Sequence, residues 1–177
     1  MVTDYRLPFT DYGLPNTKTM RLNGRLTIAT VGKIKNKAWL AAQDDYVKRL
    51  AHYTTLDLVE VKDVVGRSIP NEVAMVREGE QLLQAVSDSH RLIALTPIGK
   101  LRSSPNLARW LQKRVVEYGR IAFLIGGPLG FSDEVLAACH EQISLSPLTF
   151  THELARILLL EQLYRSCTIL AGEQYHK

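Results

Sequence analysis

The sequence predicts an α/β fold: a mostly parallel sheet covered by helices on both faces. Three observations predict it. Short apolar, β-branched runs alternate with longer helix-like stretches along the whole chain after about residue 24. Each switch between the two is marked by Gly, Pro, Ser or Asn. The chain has 177 residues, 46% of them hydrophobic, which is enough for one complete core and leaves little for a second.

Taken in order, Arg25-Leu-Thr-Ile-Ala-Thr-Val31 is the first strand, and 37–52 follows with Leu40, Ala41, Val47 and Leu50 near helical spacing. Residues 56–61 alternate with period two, and 70–86 is a helix with Pro70 at a favoured start position. Arg91-Leu-Ile-Ala-Leu95 is the third strand. Ser103 and Ser104 are candidate caps for a helix over 107–118. Arg120 to Ile125 is the fourth strand, Ser132 caps a short helix through Ala138, a fifth short strand lies near 143–145, and the last helix runs from about 151 to 169. That helix is apolar over most of its circumference, through Leu154, Ile157, Leu158, Leu159, Leu160 and Leu163, so it is expected to be covered by the core or by a second subunit. Residues 1–24 mix Asp, Pro, Gly and Asn without periodicity and form an expected loose arm ahead of one domain at 25–177.

A formal net charge of +4 is compatible with a polyanionic partner such as RNA without requiring one. The two cysteines, Cys139 and Cys167, have neither the number nor the spacing of a disulfide framework or zinc site, which points to free thiols in a reducing cytosol. No stretch reaches the roughly 20 apolar residues of a membrane span, because Glu161 interrupts the longest one. The expected compartment is the cytoplasm, or an organelle if the arm is the remnant of a transit peptide.

The chemistry is concentrated in the last third. The fourth strand runs into Gly126-Gly127-Pro128-Leu129-Gly130, and the fifth into Ser144-Leu145-Ser146-Pro147-Leu148-Thr149-Phe150-Thr151-His152. Strand-end loops of this kind leave main-chain N–H and C=O groups free for a ligand with little side-chain bulk in the way. The glycines are not a dinucleotide fingerprint: the first turn reads Val31-Gly-Lys-Ile-Lys-Asn36 and lacks the required spacing. Nor are they a phosphate-binding P-loop, since no Gly-Lys-Ser/Thr follows. Ser144 and Ser146 have no nucleophile elbow around them. On position alone His152 is equally a capping or surface histidine, and Tyr175-His176-Lys177 a frayed end.

Together these segments resemble the SPOUT superfamily of knotted methyltransferases, most closely its RlmH type, which methylates N3 of a pseudouridine in 23S ribosomal RNA. The resemblance runs from about Leu26 to His176. It rests on Leu-Ile-Gly-Gly-Pro-x-Gly at 124–130, Ser-Leu-Ser-x-Leu-Thr at 144–149, His152, Leu163-Tyr164-Arg165 and Tyr175-His176, with weaker matches at Arg77-Glu-Gly-Glu80 and Gly99-Lys100. It implies a C-terminal trefoil knot, S-adenosylmethionine as methyl donor without a metal, and a homodimer whose second subunit completes the active site. Leu95, Gly126 and the segment Leu145, Ser146, Pro147, Leu148, Thr149, Phe150 would contact the donor. His152, Tyr175 and His176 would line the acceptor pocket, with His152 as the base. Lys33, Lys35, Lys37, Lys100, Arg102 and Arg165 would meet ribosomal RNA or the ribosome. Two departures stand out, since the family usually has Asp at position 96 and Glu at position 129, where this chain has Thr96 and Leu129. A related enzyme acting on another RNA nucleotide, and a non-catalytic RNA- or ribosome-binding relative, fit the same motifs.

Overall fold

A computed structural model of the chain describes residues 21–66 and 69–175. Five strands and five helices alternate, as β1 (Arg25–Val31), α1 (Lys37–Leu50), β2 (Thr55–Val61), α2 (Asn71–Ala85), β3 (Arg91–Leu101), α3 (Ser104–Tyr118), β4 (Arg120–Ile125), α4 (Asp133–Ala138), β5 (Glu141–Ser144) and α5 (His152–Leu170). The strands form one sheet in the order β2-β1-β4-β3-β5, and every pairing is parallel. The α/β expectation and each of its elements are therefore found.

The two central strands explain why the sequence folds this way. All but the first residue of β1 and of β4 are buried, as a strand covered on both faces requires, and both read as continuous apolar or β-branched runs. One face carries α1, α3 and α5 over Leu26, Ile28, Ile93, Phe123, Leu159 and Leu163. The other carries α2 and α4 over Ala29, Val31, Ala122, Leu124, Leu82 and Val135. Alternate residues of one strand thus feed two separate cores. Leu22, assigned to the arm from sequence, is 5% exposed and belongs to the first core, and its N–H bonds the carbonyl of Tyr53 at 2.8 Å. Residues 1–20 of the expected arm lie outside the described residues.

Helix starts follow local chemistry. Asn36 caps α1 by accepting from the N–H groups of Ala38 (2.9 Å) and Trp39 (3.3 Å). Thr151 caps α5 by accepting from Leu154 N–H at 3.4 Å. Pro70 stands at the cap of α2 rather than inside it, and Ser103 and Ser132 occupy cap positions without a side-chain cap bond.

One element departs from expectation. β3 does not stop at Leu95 but continues to Leu101. Leu95 pairs with Ile143 of β5, residues 96–99 bulge out, and Lys100 then pairs with the same Ile143. Gly99 makes this return stretch feasible: a Cβ there would lie 2.4 Å from the carbonyl carbon of Ile143, so only glycine lets the two main chains approach so closely. β5 itself begins two residues earlier than expected, at Glu141. No helix among the described residues is long and apolar enough to cross a membrane.

Candidate functional site

The C-terminal ends of β3, β4 and β5 open onto one cavity of about 840 Å³, the place where ligands bind in open parallel sheets. Three loops wall it. The bulge after Leu95 brings Thr96, Pro97 and Ile98, the glycine loop brings Gly126 to Pro128 and Gly130, and the segment after β5 brings Ser144 to Ser146 and Leu148 to Phe150. Trp39 from α1 and Phe131 close the sides with apolar surface.

Each wall is held in shape locally. A Cβ on Gly126 would stand 2.7 Å from the carbonyl oxygen of Gly130, so the loop closes on itself only with glycine at 126, and Gly130 adopts a φ of +81° that favours glycine. Gly127 O accepts from Gly130 N–H at 3.0 Å across the same turn. In the second loop Ser144 Oγ donates to the carbonyl of Ser146 (2.7 Å), and Ser146 Oγ accepts from Leu148 N–H (3.0 Å). The serines of the Ser-Leu-Ser motif thus act as turn braces. Thr96 is 8% exposed, and its hydroxyl reaches Gln142 Oε1 at 3.5 Å, which ties the bulge to β5. Leu129 is 37% exposed and does not line the cavity.

His152 is the first residue of α5 and lines this cavity. It also lines a second, smaller groove of about 400 Å³ with Gly32, Lys33, Lys35, Glu60, Lys62 and Asp63, and no other described residue lines both. The loop after β1 is pinned beneath it: Glu153 Oε2 accepts from Lys35 N–H (3.1 Å) and Asn36 N–H (3.3 Å), and His152 Nε2 lies 3.7 Å from where a Cβ on Gly32 would stand.

Behind the groove sits Arg156, 1% exposed. Its guanidinium donates to Glu60 Oε1 (2.6 Å), Gly32 O (2.8 Å), Gln43 Oε1 (3.1 Å) and Thr30 Oγ1. One buried cation therefore fixes the ends of β1 and β2 against α5, one helical turn after His152. The carboxylates of the groove are engaged in this way, Glu60 by Arg156 and Asp63 by Val65 N–H, while the ammonium groups of Lys33, Lys35 and Lys62 have no ion-pair partner among the described residues. The groove is consequently cationic.

Most of the residues expected from sequence converge here. Leu95, Gly126, Leu145, Ser146, Leu148, Thr149, Phe150 and His152 all line the large cavity, and Pro147 stands in the same loop off the wall. Tyr175 lies elsewhere in this chain. Its ring packs edge-on to Tyr164 at 4.9 Å beneath the guanidinium of Arg165, and its hydroxyl is 3.4 Å from Glu161 Oε1. Glu161 is nine residues along α5 from His152, about 13 Å by helical rise. His176 lies outside the described residues. Of the expected RNA-facing cations, Arg165 bonds Glu161 at 2.7 Å and Arg102 packs over the Trp110 ring beside Glu141, so both have intramolecular roles. Trp39, Ile98 and Arg156 were not anticipated. A lone arginine on the buried stripe that continues through Leu159, Leu160 and Leu163 is the one signal that could have singled out Arg156. Among the described residues no group of His, Cys, Asp and Glu could hold a metal.

The sequence model described as "Predicted SPOUT methyltransferase" matches residues 25–176. A protein of Geotalea daltonii named ribosomal RNA large subunit methyltransferase H is 42% identical over 153 residues, covering 86% of this chain and 99% of that protein. The protein of the same name from Alkaliphilus oremlandii is 40% identical over 157 residues, with the same coverage. Among solved structures, a methylase-family protein of Haemophilus influenzae has the same fold, with a TM-score of 0.51 at 17% identity over 88% of this chain and 70% of that one. The matched region spans the glycine loop, the serine-braced loop and His152, and the chain belongs to the SPOUT methyltransferase family.

Proposed function

We propose that this chain is an S-adenosylmethionine-dependent ribosomal RNA methyltransferase that methylates N3 of a pseudouridine in the 23S RNA of the large subunit. The observation that carries this reading is the shared wall at His152, between a largely apolar cavity built from strand-end main chain and a cationic groove. The relatives' names, ribosomal RNA large subunit methyltransferase H, agree with it.

The cavity residues fit the donor. About 840 Å³ is within the range of small-molecule sites, Leu95, Ile98, Leu145 and Leu148 offer apolar surface to a purine ring, and the glycine loop offers main chain without side-chain bulk. When bound, S-adenosylmethionine supplies a methyl group activated by its sulfonium. The chain's own residues supply alignment and proton handling. Holding two reactants in line contributes on the order of 7–11 kcal/mol when their geometry is fixed. His152 stands between the two sites and takes the N3 proton, a role worth roughly 10²–10⁴ in rate. Lys33, Lys35 and Lys62 draw in the phosphodiester backbone.

The reading includes the trefoil knot and the homodimer. Leu154, Ile157 and Leu158 of α5 are only half-buried in one chain, and Ile98 (87% exposed) and Leu148 (70% exposed) stand at the cavity mouth, surfaces that a second copy would cover. Since Tyr175 packs far along α5 from its own His152, the tail that completes an acceptor pocket is the partner's, bringing Tyr175 and His176. One domain at 25–177, into whose core Leu22 also packs, working in the cytoplasm, completes the assignment.

The test is calorimetric titration with S-adenosylmethionine, followed by mass-spectrometric mapping of the methylated nucleotide on ribosomes lacking the modification. Micromolar donor binding and a single methylated pseudouridine are expected. In H152A, donor affinity should hold within about threefold while turnover falls by at least about 100-fold. Methylation of another nucleotide would redirect the substrate assignment. Absent donor binding by a folded protein would favour a non-catalytic RNA-binding relative.

A further inference from the structure

The turn of α2 that carries Arg77-Glu-Gly-Glu80 lines neither cavity, yet it holds a buried acid. Glu78 is 2% exposed. Its Oε1 accepts from the N–H groups of Val64 (2.8 Å) and Val65 (3.2 Å), which fixes the chain just after β2. Its Oε2 is buried without a hydrogen-bond partner among the described residues. A dry, unpaired carboxyl oxygen is rare enough to need a reason.

The reason lies in what it faces. A Cβ on Gly127 would stand 2.7 Å from Oε2 and 3.1 Å from Val31 Cγ1, so the main chain of the glycine loop rests directly on this oxygen. The next residue makes a parallel contact: a Cβ on Gly79 would stand 2.5 Å from Val135 Cγ2 and 3.4 Å from Ser132 Oγ, at the start of α4. Glu78 and Gly79 therefore lie close against Gly127 and against Ser132 and Val135 at the start of α4. Burial raises the pKa of Glu78, the N–H bonds of Val64 and Val65 counter it only in part, and the neighbouring Asp63 carboxyl raises it further.

We propose that Glu78 is a positioning residue of the donor site: Oε1 clamps the main chain at 64–65, and Oε2 is the stop that sets the height of Gly127, so that the glycine loop faces the cavity at a fixed distance. The inference rests on the large cavity being the donor site. It predicts non-additivity between two variants. G127A drives a methyl into Oε2 and should lower S-adenosylmethionine affinity at least about tenfold, and E78A lets the loop sink and should lower it several-fold, within the coupling range of contacting residues. In the E78A/G127A double variant the methyl occupies the space left by the carboxyl, and affinity should recover to at least about fivefold above the product of the two losses. E78Q keeps the shape and should bind within about twofold of the parent.

Calorimetric titration of the four variants with S-adenosylmethionine decides the matter, with thermal unfolding run alongside to show that each is folded. Losses that multiply in the double variant would overturn the inference while leaving the donor site standing, as would an E78A protein that is folded and binds the donor like the parent. A folded parent that binds no S-adenosylmethionine would overturn the donor-site reading and the inference with it.

Discussion

Replacing Arg156 by Met removes the charge but keeps an unbranched stem, so the loss isolates the guanidinium. Arg156 is 1% exposed and donates to four acceptors from three strands or helices, of which Glu60 is the only ionised one. Breaking a buried ion pair by removing one member costs about 3–5 kcal/mol, chiefly because the other charge is left unpaired. The Glu60 side chain is 30% exposed and can recover water, which places this case at the lower end, about 3 kcal/mol. For a chain of this size each kcal/mol shifts Tm by about 2–4 °C, so R156M should melt about 6–12 °C below the parent. The assay is circular dichroism during heating, at one fixed protein concentration because self-association shifts Tm. E60Q leaves the more deeply buried guanidinium without a counter-charge and should cost at least as much. An R156M protein melting within about 2 °C of the parent would refute the argument that this cation ties β1 and β2 to α5.

Two further outcomes follow from charges elsewhere. Glu141 is opposed by burial, yet hydrogen bonds from Arg114, Trp110 and Arg91 outweigh it and hold the carboxyl at about 2, against an ordinary 4.5. The stabilisation is complete above the ordinary value and disappears as pH falls toward 2, so Tm of the parent should fall more steeply between pH 4.5 and 2 than Tm of E141Q, and parallel curves would refute the coupling. Removing two of the three unpaired cations of the groove in K33Q/K62Q should raise KM for RNA with kcat and donor affinity unchanged, and should flatten the log–log salt slope by about 1.4–1.8, two phosphate contacts' worth. An unchanged slope would move the RNA elsewhere.

Much of this architecture is legible in the sequence because it is local. β1 and β4 are short apolar runs, and Asn36 and Thr151 announce their helices by side-chain chemistry that acts within three residues. Two of the three cavity loops were identifiable because each follows a strand end and is rich in glycine or serine, while the third entered only through Leu95, which the resemblance implied. What escaped depends on contacts far apart in the chain. β3 continues past Leu95 only because β5, more than 40 residues on, accepts Lys100 and Leu101 in register, against the turn signals of Pro97 and Gly99. The buried roles of Arg156 and Glu78 are set by Glu60, Val64 and Gly127, and a single charged residue in a helix carries no mark of the partner it will meet. The tail shows the same limit, since Tyr175 has a packed place against Tyr164 that its position near the end of the chain gave no reason to expect.

The strand order also governs when the site comes into being. β1 pairs on one side with β2, Arg25 opposite Thr55, but on its other side with β4, Arg25 opposite Arg120. β1 must therefore wait for a neighbour synthesised 95 residues later, and the last wall of the cavity, 144–150, comes later still. Closing such long loops before their contacts form slows folding toward the millisecond-to-second range typical of non-local topologies. Most of the chain is synthesised before this cavity exists, so a product terminated ahead of β5 and α5 would lack both the 144–150 wall and His152.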